Sequence, residues 1–378
     1  MKLLYITNTR IPSKKANSYQ SMQMADNFCN IVDDFEFIVA NRYNDEFVDF
    51  KDDIYKFYNV KNRFKIIKLF CLDLPFLHNI NQKLWFLTHS LTFAFSVLKY
   101  LFAKKDYIIF IRDENTFKIL SLFKKYKIIS NKIYFEAHRY SDNLIKYLKN
   151  INGLVVINNY LKELYQKQLD IKILVAHDGV NIDEYKNISD YKFDKNKKEY
   201  NIVYTGNLFK WKGVYTLVDS LEYLNDNVKL YIVGGSQDTF KEFKQYCENK
   251  SYKNRIILTG FIPKKETIKY IEIADILVLP NSANDKMSYY TSPLKLFEYM
   301  ASKRPIVASR LPSLEEILTD RKNALLFEAD NSKDLANKIK FAIQNDCENI
   351  VKQAYQDVEK YTWENRAKNI KRWIDEEI

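Results

Sequence analysis

Two segments in the second half of the chain carry residue types that bind phosphate groups and sugar hydroxyls. The first begins at Thr205, reads T-G-N-L-F-K-W-K-G, and precedes a helical pattern. A glycine turn, a lysine such as Lys212 and the amides of a helix start together form an anion site in many proteins. An ordinary strand–helix turn with solvated lysines has the same residue types, so these residues alone leave both interpretations open.

The second segment reads S-P-L-K-L-F-E-Y-M-A from residue 292 onwards. Ser292 is a favourable N-cap and Pro293 suits the first helical position, so the pattern predicts that a helix begins here. Glu298 lies about one and a half turns further along. Its two carboxylate oxygens are able to accept hydrogen bonds from a sugar diol. A surface glutamate paired with Lys295 or Ser302 explains the pattern equally well.

Short apolar runs alternate with helical patterns, and these elements must position the two segments. Continuous apolar runs are typical of parallel strands that are covered on both faces. The alternation of strand and helix predicts a doubly wound α/β architecture, repeated twice. The predicted strands are residues 3–7, 35–40, 107–111, 132–136, 153–157, 172–175, 201–205, 229–233, 255–259, 275–279, 305–308 and 324–327.

The chain of 378 residues is longer than a single hydrophobic core usually supports, which favours two domains. A polar stretch without apolar periodicity separates the two halves and has the composition of a linker. We predict four parts: an N-terminal Rossmann-like domain (1–182), a linker (183–200), a second Rossmann-like domain (201–355) and a C-terminal helix (356–378).

Cysteine usage and the start of the chain exclude several protein classes. The 4 cysteines are scattered and have no metal-ligand spacing, so neither a disulfide scaffold nor a zinc site is expected. The apolar run at residues 3–7 is too short for a signal peptide and is predicted to be the first strand. We therefore expect a cytoplasmic protein with reduced thiols.

The formal charge of +11 lies mostly in the first half, where residues 1–180 contain 27 basic and 18 acidic side chains. A basic half of this kind suits a nucleic acid, an anionic membrane surface or a phosphorylated ligand. A lysine-rich composition bias explains it equally well. Aromatic residues make up 15% of the chain, but they fall in strand and helix patterns rather than among basic residues. This disfavours nucleic-acid binding.

The apolar run from Leu84 to Ala103 leaves three interpretations open. A membrane-spanning helix is the first, although polar residues at four-residue spacing interrupt the run. The second is a helix buried in the first domain. The third is an interfacial helix whose Lys99, Lys104 and Lys105 reach lipid phosphates.

Together, the two segments resemble the nucleotide-sugar site of family 4 glycosyltransferases, which are retaining enzymes with the GT-B fold. The resemblance covers residues 136–375 well and residues 1–135 loosely. It implies two Rossmann-like domains facing a central cleft and a C-terminal helix that crosses back to the first domain. Further matching segments are Val233-Gly234-Gly235-Ser236, Gly260-Phe261-Ile262, Ala308 to Ile317, and Tyr361-Thr362-Trp363-Glu364.

The resemblance assigns roles in donor binding. Lys212 matches a lysine that contacts the donor diphosphate, whereas Asn207 stands where the family has an arginine. Glu298 matches the glutamate that binds the ribose, and Tyr290 replaces a second glutamate that faces the donor sugar. The implied donor-binding residues are Gly206, Asn207, Lys212, Gly234, Ile262, Tyr290, Ser292, Pro293, Leu294 and Glu298.

In the first half, His138 resembles the histidine of the family's E-x-H segment, which lies near the donor sugar. His138 and Lys212 are therefore the predicted catalytic residues. Arg10 and Ser18, in the loop after the first strand, are predicted to face the acceptor, and His177 is expected to be structural. Because the family stabilises the leaving diphosphate with cationic side chains and helix N-termini, we predict no metal and no cofactor. The resemblance implies a UDP- or GDP-linked sugar as the co-substrate.

The predicted function is retaining sugar transfer to a lipid-linked, lipopolysaccharide or capsule glycan acceptor in bacterial surface polysaccharide synthesis. Peripheral contact with the anionic inner membrane is expected, and a nucleic-acid partner is not. Two alternatives stay open. One is a nucleotide-sugar 2-epimerase with the same fold. The other is a degenerate pseudoenzyme that binds a partner, since Asn207 and Tyr290 replace two residues of the family pattern.

Overall fold

The computed structural model describes residues 1–42 and 52–376, which divide into two units. Unit 1 comprises Met1–Ala176 together with Trp363–Ile378, and unit 2 comprises His177–Thr362. In chain order, the strands are β1 (Lys2–Thr7), β2 (Asp34–Ala40), β3 (Lys65–Leu69), β4 (Ile108–Ile111), β5 (Ile133–Ala137), β6 (Gly153–Val156), β7 (Ile173–Val175), β8 (Tyr200–Thr205), β9 (Val228–Val233), β10 (Ile256–Gly260), β11 (Ile276–Leu279), β12 (Ile306–Arg310) and β13 (Leu325–Glu328).

The helices alternate with these strands along the chain. They are α1 (Ala16–Phe28), α2 (Ile54–Phe57), α3 (Pro75–Ile80), α4 (Gln82–Leu101), α5 (Glu114–Lys125), α6 (Asp142–Leu148), α7 (Asn159–Gln166), α8 (Val214–Ser220), α9 (Gln237–Glu248), α10 (Lys264–Glu272), α11 (Leu294–Ala301), α12 (Pro312–Glu315), α13 (Ser332–Gln344), α14 (Glu348–Val358) and α15 (Trp363–Asp375).

In the described part of unit 1, seven parallel strands form one sheet in the order β3-β2-β1-β4-β5-β6-β7. The run from Leu3 to Ile6 is fully buried, as expected for a strand covered on both faces. The order reverses between β1 and β4, which places the loops after these strands at a switch point. The C-terminal helix α15 packs against α1 in this unit, and Trp373 contacts the Tyr134 ring.

In unit 2, the described residues form a parallel sheet of six strands in the order β10-β9-β8-β11-β12-β13. Successive strand residues point to opposite layers, as the two-residue period of a strand requires. Val203 and Leu277 belong to one buried cluster, together with Leu296 of α11. Ile202 and Val278 belong to the other cluster. The order reverses between β8 and β11, which defines the switch point of this unit.

The predicted α/β class with two doubly wound Rossmann-like domains is confirmed. Each predicted apolar run overlaps an observed strand, and the strand that was not predicted is β3, at the edge of its sheet. Its sequence K-I-I-K-L carries exposed lysines at both Lys65 and Lys68, so it has no continuous apolar run. The apolar run from Leu84 corresponds to α4, which is buried on one side only. Among the described residues, no helix has the length and apolar character needed to cross a membrane.

Candidate functional site

The two segments identified in the sequence meet at the switch point of unit 2. β8 ends at Thr205 and its neighbour β11 ends at Leu279, so the loops that follow them share the carboxyl edge of the sheet. In open parallel sheets, ligands bind in the crevice at this position. The segment after β8 leads into α8, and the segment after β11 leads into α11.

Glycines allow the backbones of these loops to touch. Gly213 has a φ of 68°, and a Cβ atom there would lie 1.7 Å from the carbonyl oxygen of Pro280. A Cβ atom on Gly234 would lie 2.5 Å from the carbonyl oxygen of Gly206. The loops after β8, β9 and β11 are therefore packed backbone to backbone, and only glycine fits at these contacts.

Lys295 lies in the first turn of α11 and is buried, and its ammonium group has no hydrogen-bond partner among the described residues. The Nζ atom lies 3.6 Å from the centroid of the Tyr204 ring. A Cβ atom on Gly206 would lie 3.0 Å from this Nζ, so the glycine leaves room for the lysine. Burial and the nearby charge of Lys212 hold the pKa of Lys295 well below its ordinary value, although Glu298 opposes this shift.

Lys212 ends a short 3-10 turn, and its ammonium group lies 3.6 Å from the centroid of the Trp211 ring. Burial lowers the pKa of Lys212 to about 7. Its neighbour Lys210 differs, since its exposed ammonium group lies 3.2 Å from a carboxylate oxygen of Glu242. Within the described part of the chain, no carboxylate forms an ion pair with either Lys212 or Lys295. An anion that entered this site would restore the charge of both lysines.

Asn207, which stands at the family's arginine position, is engaged by its own loop. Its Oδ1 atom accepts hydrogen bonds from the Leu208 amide at 2.8 Å and from the Thr239 hydroxyl at 3.2 Å. Lys295 brings a second ammonium group to this region, and the sequence analysis did not name it as a donor-site candidate.

Glu298 is partly buried on α11, and its carboxylate lies 3.2 Å from the Lys264 ammonium group at the start of α10. Lys264 also lies 2.9 Å from the carboxylate of Glu184. The alternative in which Glu298 pairs with Lys295 or Ser302 is not what the described residues show. The Ser302 hydroxyl donates instead to the Tyr299 carbonyl oxygen at 2.7 Å, because it lies inside the helix end.

The start of α11 differs by one residue from the prediction. The helix begins at Leu294 with Pro293 as the capping residue, and the side chain of Ser292 does not cap it. The Ser292 hydroxyl accepts a hydrogen bond from the Asp178 amide at 2.9 Å, which ties the loop after β7 to the start of α11. Of the other predicted donor-binding residues, Tyr290 lies partly buried just before this loop, and Ile262 packs against the core.

Asn281 is a second residue that the sequence analysis did not identify. It follows β11 directly and is fully buried, and its amide nitrogen and oxygen have no hydrogen-bond partner among the described residues. Its backbone nitrogen would lie 3.3 Å from a Cβ atom on Gly213, so it belongs to the same group of loops. A buried amide without partners is costly unless a ligand or water satisfies it.

His138, in unit 1, follows β5 and is held by a buried glutamate. Its Nε2 atom lies 2.5 Å from Glu136, and the second oxygen of that carboxylate lies 3.1 Å from the Arg366 guanidinium group of α15. Burial would raise the pKa of Glu136, but Arg366 and then His138 outweigh it and hold the pKa far below its ordinary value. Glu136 thus fixes the imidazole ring and leaves Nδ1 facing away from this contact.

The loop after β1 contains the predicted acceptor-side residues. Ser18 is fully buried, and its hydroxyl donates to the Arg10 carbonyl oxygen at 3.1 Å. The Arg10 guanidinium group lies 3.7 Å from Asp73 and over the Trp85 ring, so it belongs to a partly exposed charged cluster. His177 was expected to be structural, and it lies 3.5 Å from Glu316.

The residues that the structure describes contain no group of three or more His, Cys, Asp or Glu side chains placed to hold a metal ion. The residues that surround the site instead contribute the two ammonium groups, the buried amide and the carboxylate of Glu298. This set of donors and acceptors suits an anionic ligand that also carries hydroxyl groups.

Comparison with known proteins is consistent with this chemistry. Residues 186–357, just under half of the chain, match the family model of glycosyl transferases group 1. An uncharacterized glycosyltransferase of Methanocaldococcus jannaschii is 24% identical over 229 residues, which is 60% of this chain and 60% of that protein. The O-antigen chain mannosyltransferase RfbU of Salmonella typhimurium is 21% identical over 61% of each chain. These matches therefore span less than two thirds of either relative.

The fold extends over the whole chain. The crystal structure of Anabaena HepE in complex with UDP superposes with a TM-score of 0.73 at 14% identity, and it covers 100% of both chains. The predicted resemblance to a GT-B glycosyltransferase is confirmed, whereas assignment to family 4 and retention of configuration stay predictions. Residues 186–357 thus resemble the group 1 glycosyl transferases, and the chain has the GT-B fold.

Proposed function

We propose that this protein transfers a sugar from a UDP- or GDP-linked donor to a glycan acceptor. The observation that carries the proposal is the pair of ammonium groups at the switch point of unit 2, that of the buried Lys295 and that of the partly buried Lys212. Neither forms an ion pair with a carboxylate in the described part of the chain, so a bound diphosphate would supply the counter-charge of both lysines. The structure of HepE with UDP supports a uridine nucleotide as the first candidate.

The two lysines would act on the leaving group of the reaction, which is the nucleoside diphosphate. When the bond between the anomeric carbon and the diphosphate oxygen breaks, negative charge grows on that oxygen. Lys212 and Lys295 are fixed before the reaction, so they stabilise the charge without reorganisation. The N-terminus of α11, in whose first turn Lys295 lies, adds a partial positive charge.

Glu298 is assigned to the ribose of the donor. Its carboxylate lies one turn beyond Lys295 on α11, and Lys264 holds it at 3.2 Å. A carboxylate in this position accepts hydrogen bonds from both hydroxyls of a diol. The same helix would thus hold the diphosphate at its first turn and the ribose at its second.

The finer parts of the proposal rest on the family resemblance and on the relatives. We assign retention of configuration, orientation of the donor sugar by His138 and an acceptor side at Arg10 from the resemblance. The Salmonella mannosyltransferase supports an acceptor in bacterial surface polysaccharide synthesis, which is lipid-linked in our proposal. We propose that the transfer uses no metal ion. We also propose that unit 1 contacts an anionic membrane peripherally.

Titration calorimetry with UDP, GDP, CMP and ADP tests the donor site. One nucleotide should bind the wild type, and Lys212→Met should weaken its binding by about tenfold to a hundredfold, because a charge-assisted hydrogen bond is lost. Lys210→Met is the matched control, since this lysine lies in the same turn but is exposed and paired with Glu242. It should bind like the wild type.

Two results would overturn the proposal. A folded wild-type protein that binds none of these nucleotides would favour the pseudoenzyme. The loss of donor binding would then be attributed to Asn207 and Tyr290, which replace two residues of the family pattern. If incubation with a nucleotide sugar alone gives the epimeric nucleotide sugar, then the protein is an epimerase. Transfer of labelled sugar to an added glycan acceptor is the result that we expect.

A further inference from the structure

Helix α4 has two apolar faces, and only one of them is buried. His89, Phe93, Val97 and Leu101 point inward and are at most 1% exposed. On the other side, large apolar side chains are at least 36% exposed, and their spacing of three, four, four and seven residues keeps them on one side of the helix. We call this set the α4 face: Leu84, Leu87, Leu91, Phe95 and, one residue beyond the helix, Phe102.

The α4 face is continuous with further exposed apolar residues. Helix α3 packs against α4 and carries Phe76 and Ile80, which are 58% and 74% exposed. On the side of α5, the Phe95 ring contacts Phe123, and Tyr126, three residues after Phe123, is exposed. Isolated exposed apolar residues are common on protein surfaces, but a contiguous patch marks an interaction surface.

The segment that carries the α4 face has charges of one sign. Residues 74–105 contain four lysines and no aspartate or glutamate. Lys83, Lys99 and Lys105 are exposed, and the described residues offer none of them an ion pair. Lys104 differs, because it pairs with the buried Glu36 at 3.0 Å. The surface thus combines an apolar stripe with uncompensated positive charge at its border.

We propose that the α4 face docks on the surface of an anionic lipid membrane. Its leucine and phenylalanine side chains would enter the boundary between headgroups and acyl chains, and Lys83, Lys99 and Lys105 would lie at the lipid phosphates. A protein partner fits less well, because lysine is depleted at protein interfaces and the five residues of the α4 face include no tryptophan, tyrosine or arginine anchor.

This inference rests on the proposed function, which includes contact of unit 1 with an anionic membrane. It identifies the α4 face as the surface that makes this contact. Trp85 lies beside Leu84 in α4, and its ring is 5.7 Å from the Arg10 guanidinium carbon and 5.1 Å from that of Arg42. The α4 face therefore begins next to the loop after β1, to which we assign the acceptor. Docking would bring this loop to an acceptor that is held in the lipid.

Vesicle co-sedimentation tests the inference with the full-length protein. Wild type should sediment with vesicles of phosphatidylcholine and phosphatidylglycerol, less with phosphatidylcholine alone, and less at high salt. The double variant Leu91→Gln/Phe95→Gln should lower the partition coefficient about tenfold or more, since two apolar side chains no longer insert. Lys83→Gln/Lys99→Gln should lower the partition coefficient on the anionic vesicles only.

The matched controls are Ile273→Gln and Lys265→Gln, which change an exposed apolar residue and an exposed lysine of unit 2. Both should sediment like the wild type. Equal sedimentation of the wild type and the Leu91/Phe95 variant would overturn the inference. So would a dimer in analytical ultracentrifugation that the variant abolishes without any vesicle binding, because a second copy would then cover the face. Nucleotide titration of each variant separates this result from failure of the donor site.

Discussion

The two units bury charged groups in opposite ways. In unit 1, the carboxylate of Glu136 is enclosed between Arg366 and His138, so the protein itself matches the buried charge. In unit 2, Lys295 is buried and Lys212 is partly buried, and the described residues offer neither of them an ion pair. A matched buried charge fixes structure, whereas an unmatched one is costly and is kept where a ligand supplies the counter-charge.

The largest effect is expected in unit 1, from Glu136→Gln. Removing the carboxylate leaves the buried Arg366 guanidinium group without its counter-charge, which should lower the free energy of unfolding by about 3–5 kcal/mol. Chemical denaturation followed by circular dichroism measures this change. The control is Glu364→Gln on the same helix as Arg366, whose exposed pair with Lys368 contributes under about 1 kcal/mol.

The pH dependence sharpens this prediction. Since the folded-state pKa of Glu136 is lowered, its stabilising effect is complete above the unfolded-state value of about 4.3 and is lost as the pH falls through the folded-state value. The difference in stability between wild type and Glu136→Gln should therefore shrink below about pH 4.3. A difference that stays constant down to acid unfolding would contradict a role for the buried carboxylate charge.

In unit 2, Lys295→Met should give the opposite result for stability. The substitution removes a buried ammonium group without a partner, so the free energy of unfolding should stay unchanged or rise by about 1 kcal/mol. UDP affinity should fall about tenfold to a hundredfold, because the diphosphate loses a charge-assisted contact. Thermal unfolding and calorimetry on the same sample measure both quantities.

Lys244→Met, a change of an exposed lysine on α9, is the control and should leave both quantities as in the wild type. A Lys295→Met protein that unfolds more easily but binds UDP as tightly as the wild type would make this lysine structural. The contrast between the two units would then disappear.

A smaller effect is expected on the protons exchanged during binding. The pKa of Lys212 is about 7 in the free protein, and a bound diphosphate favours its charged form. Binding at pH 8 should therefore take up protons, and the affinity should fall by up to about tenfold per pH unit for each lysine that must be charged. Calorimetry in two buffers with different ionisation enthalpies measures the uptake. If Lys212→Met takes up as many protons as the wild type, another group is responsible.

The fold could be predicted from the sequence because each buried parallel strand is a continuous apolar run. The strand β3 was not predicted, because Lys65 and Lys68 interrupt its apolar run. Both lysines are exposed, and β3 lies at the edge of its sheet. Boundaries set by tertiary contacts were also missed. Ser292 does not cap α11, because its hydroxyl accepts from the amide of Asp178, which is 114 residues away.

The site could be predicted only where its residues follow a local pattern. Lys212 follows a glycine turn and precedes a helix, and that spacing is visible in one segment. Lys295 is one lysine in an apolar helix, and whether such a lysine is solvated or buried depends on Tyr204 and Gly206, far away in sequence. The Glu136–Arg366 pair joins positions 230 residues apart, so no local pattern contains it.

The smallest expected effect concerns Asn281, the buried amide beside Gly213. Asn281→Leu keeps the volume and removes both unpaired polar atoms, so UDP affinity should fall only about twofold to tenfold, the worth of a neutral hydrogen bond. Asn225→Leu is the control, because this asparagine is exposed before β9, at the opposite edge of the sheet. Calorimetry measures the UDP affinity and thermal unfolding measures the stability of the variant, and together they decide the role of Asn281. Unchanged affinity with higher stability would mean that its amide holds only water, and the ligand site of unit 2 would then be limited to its two lysines and Glu298.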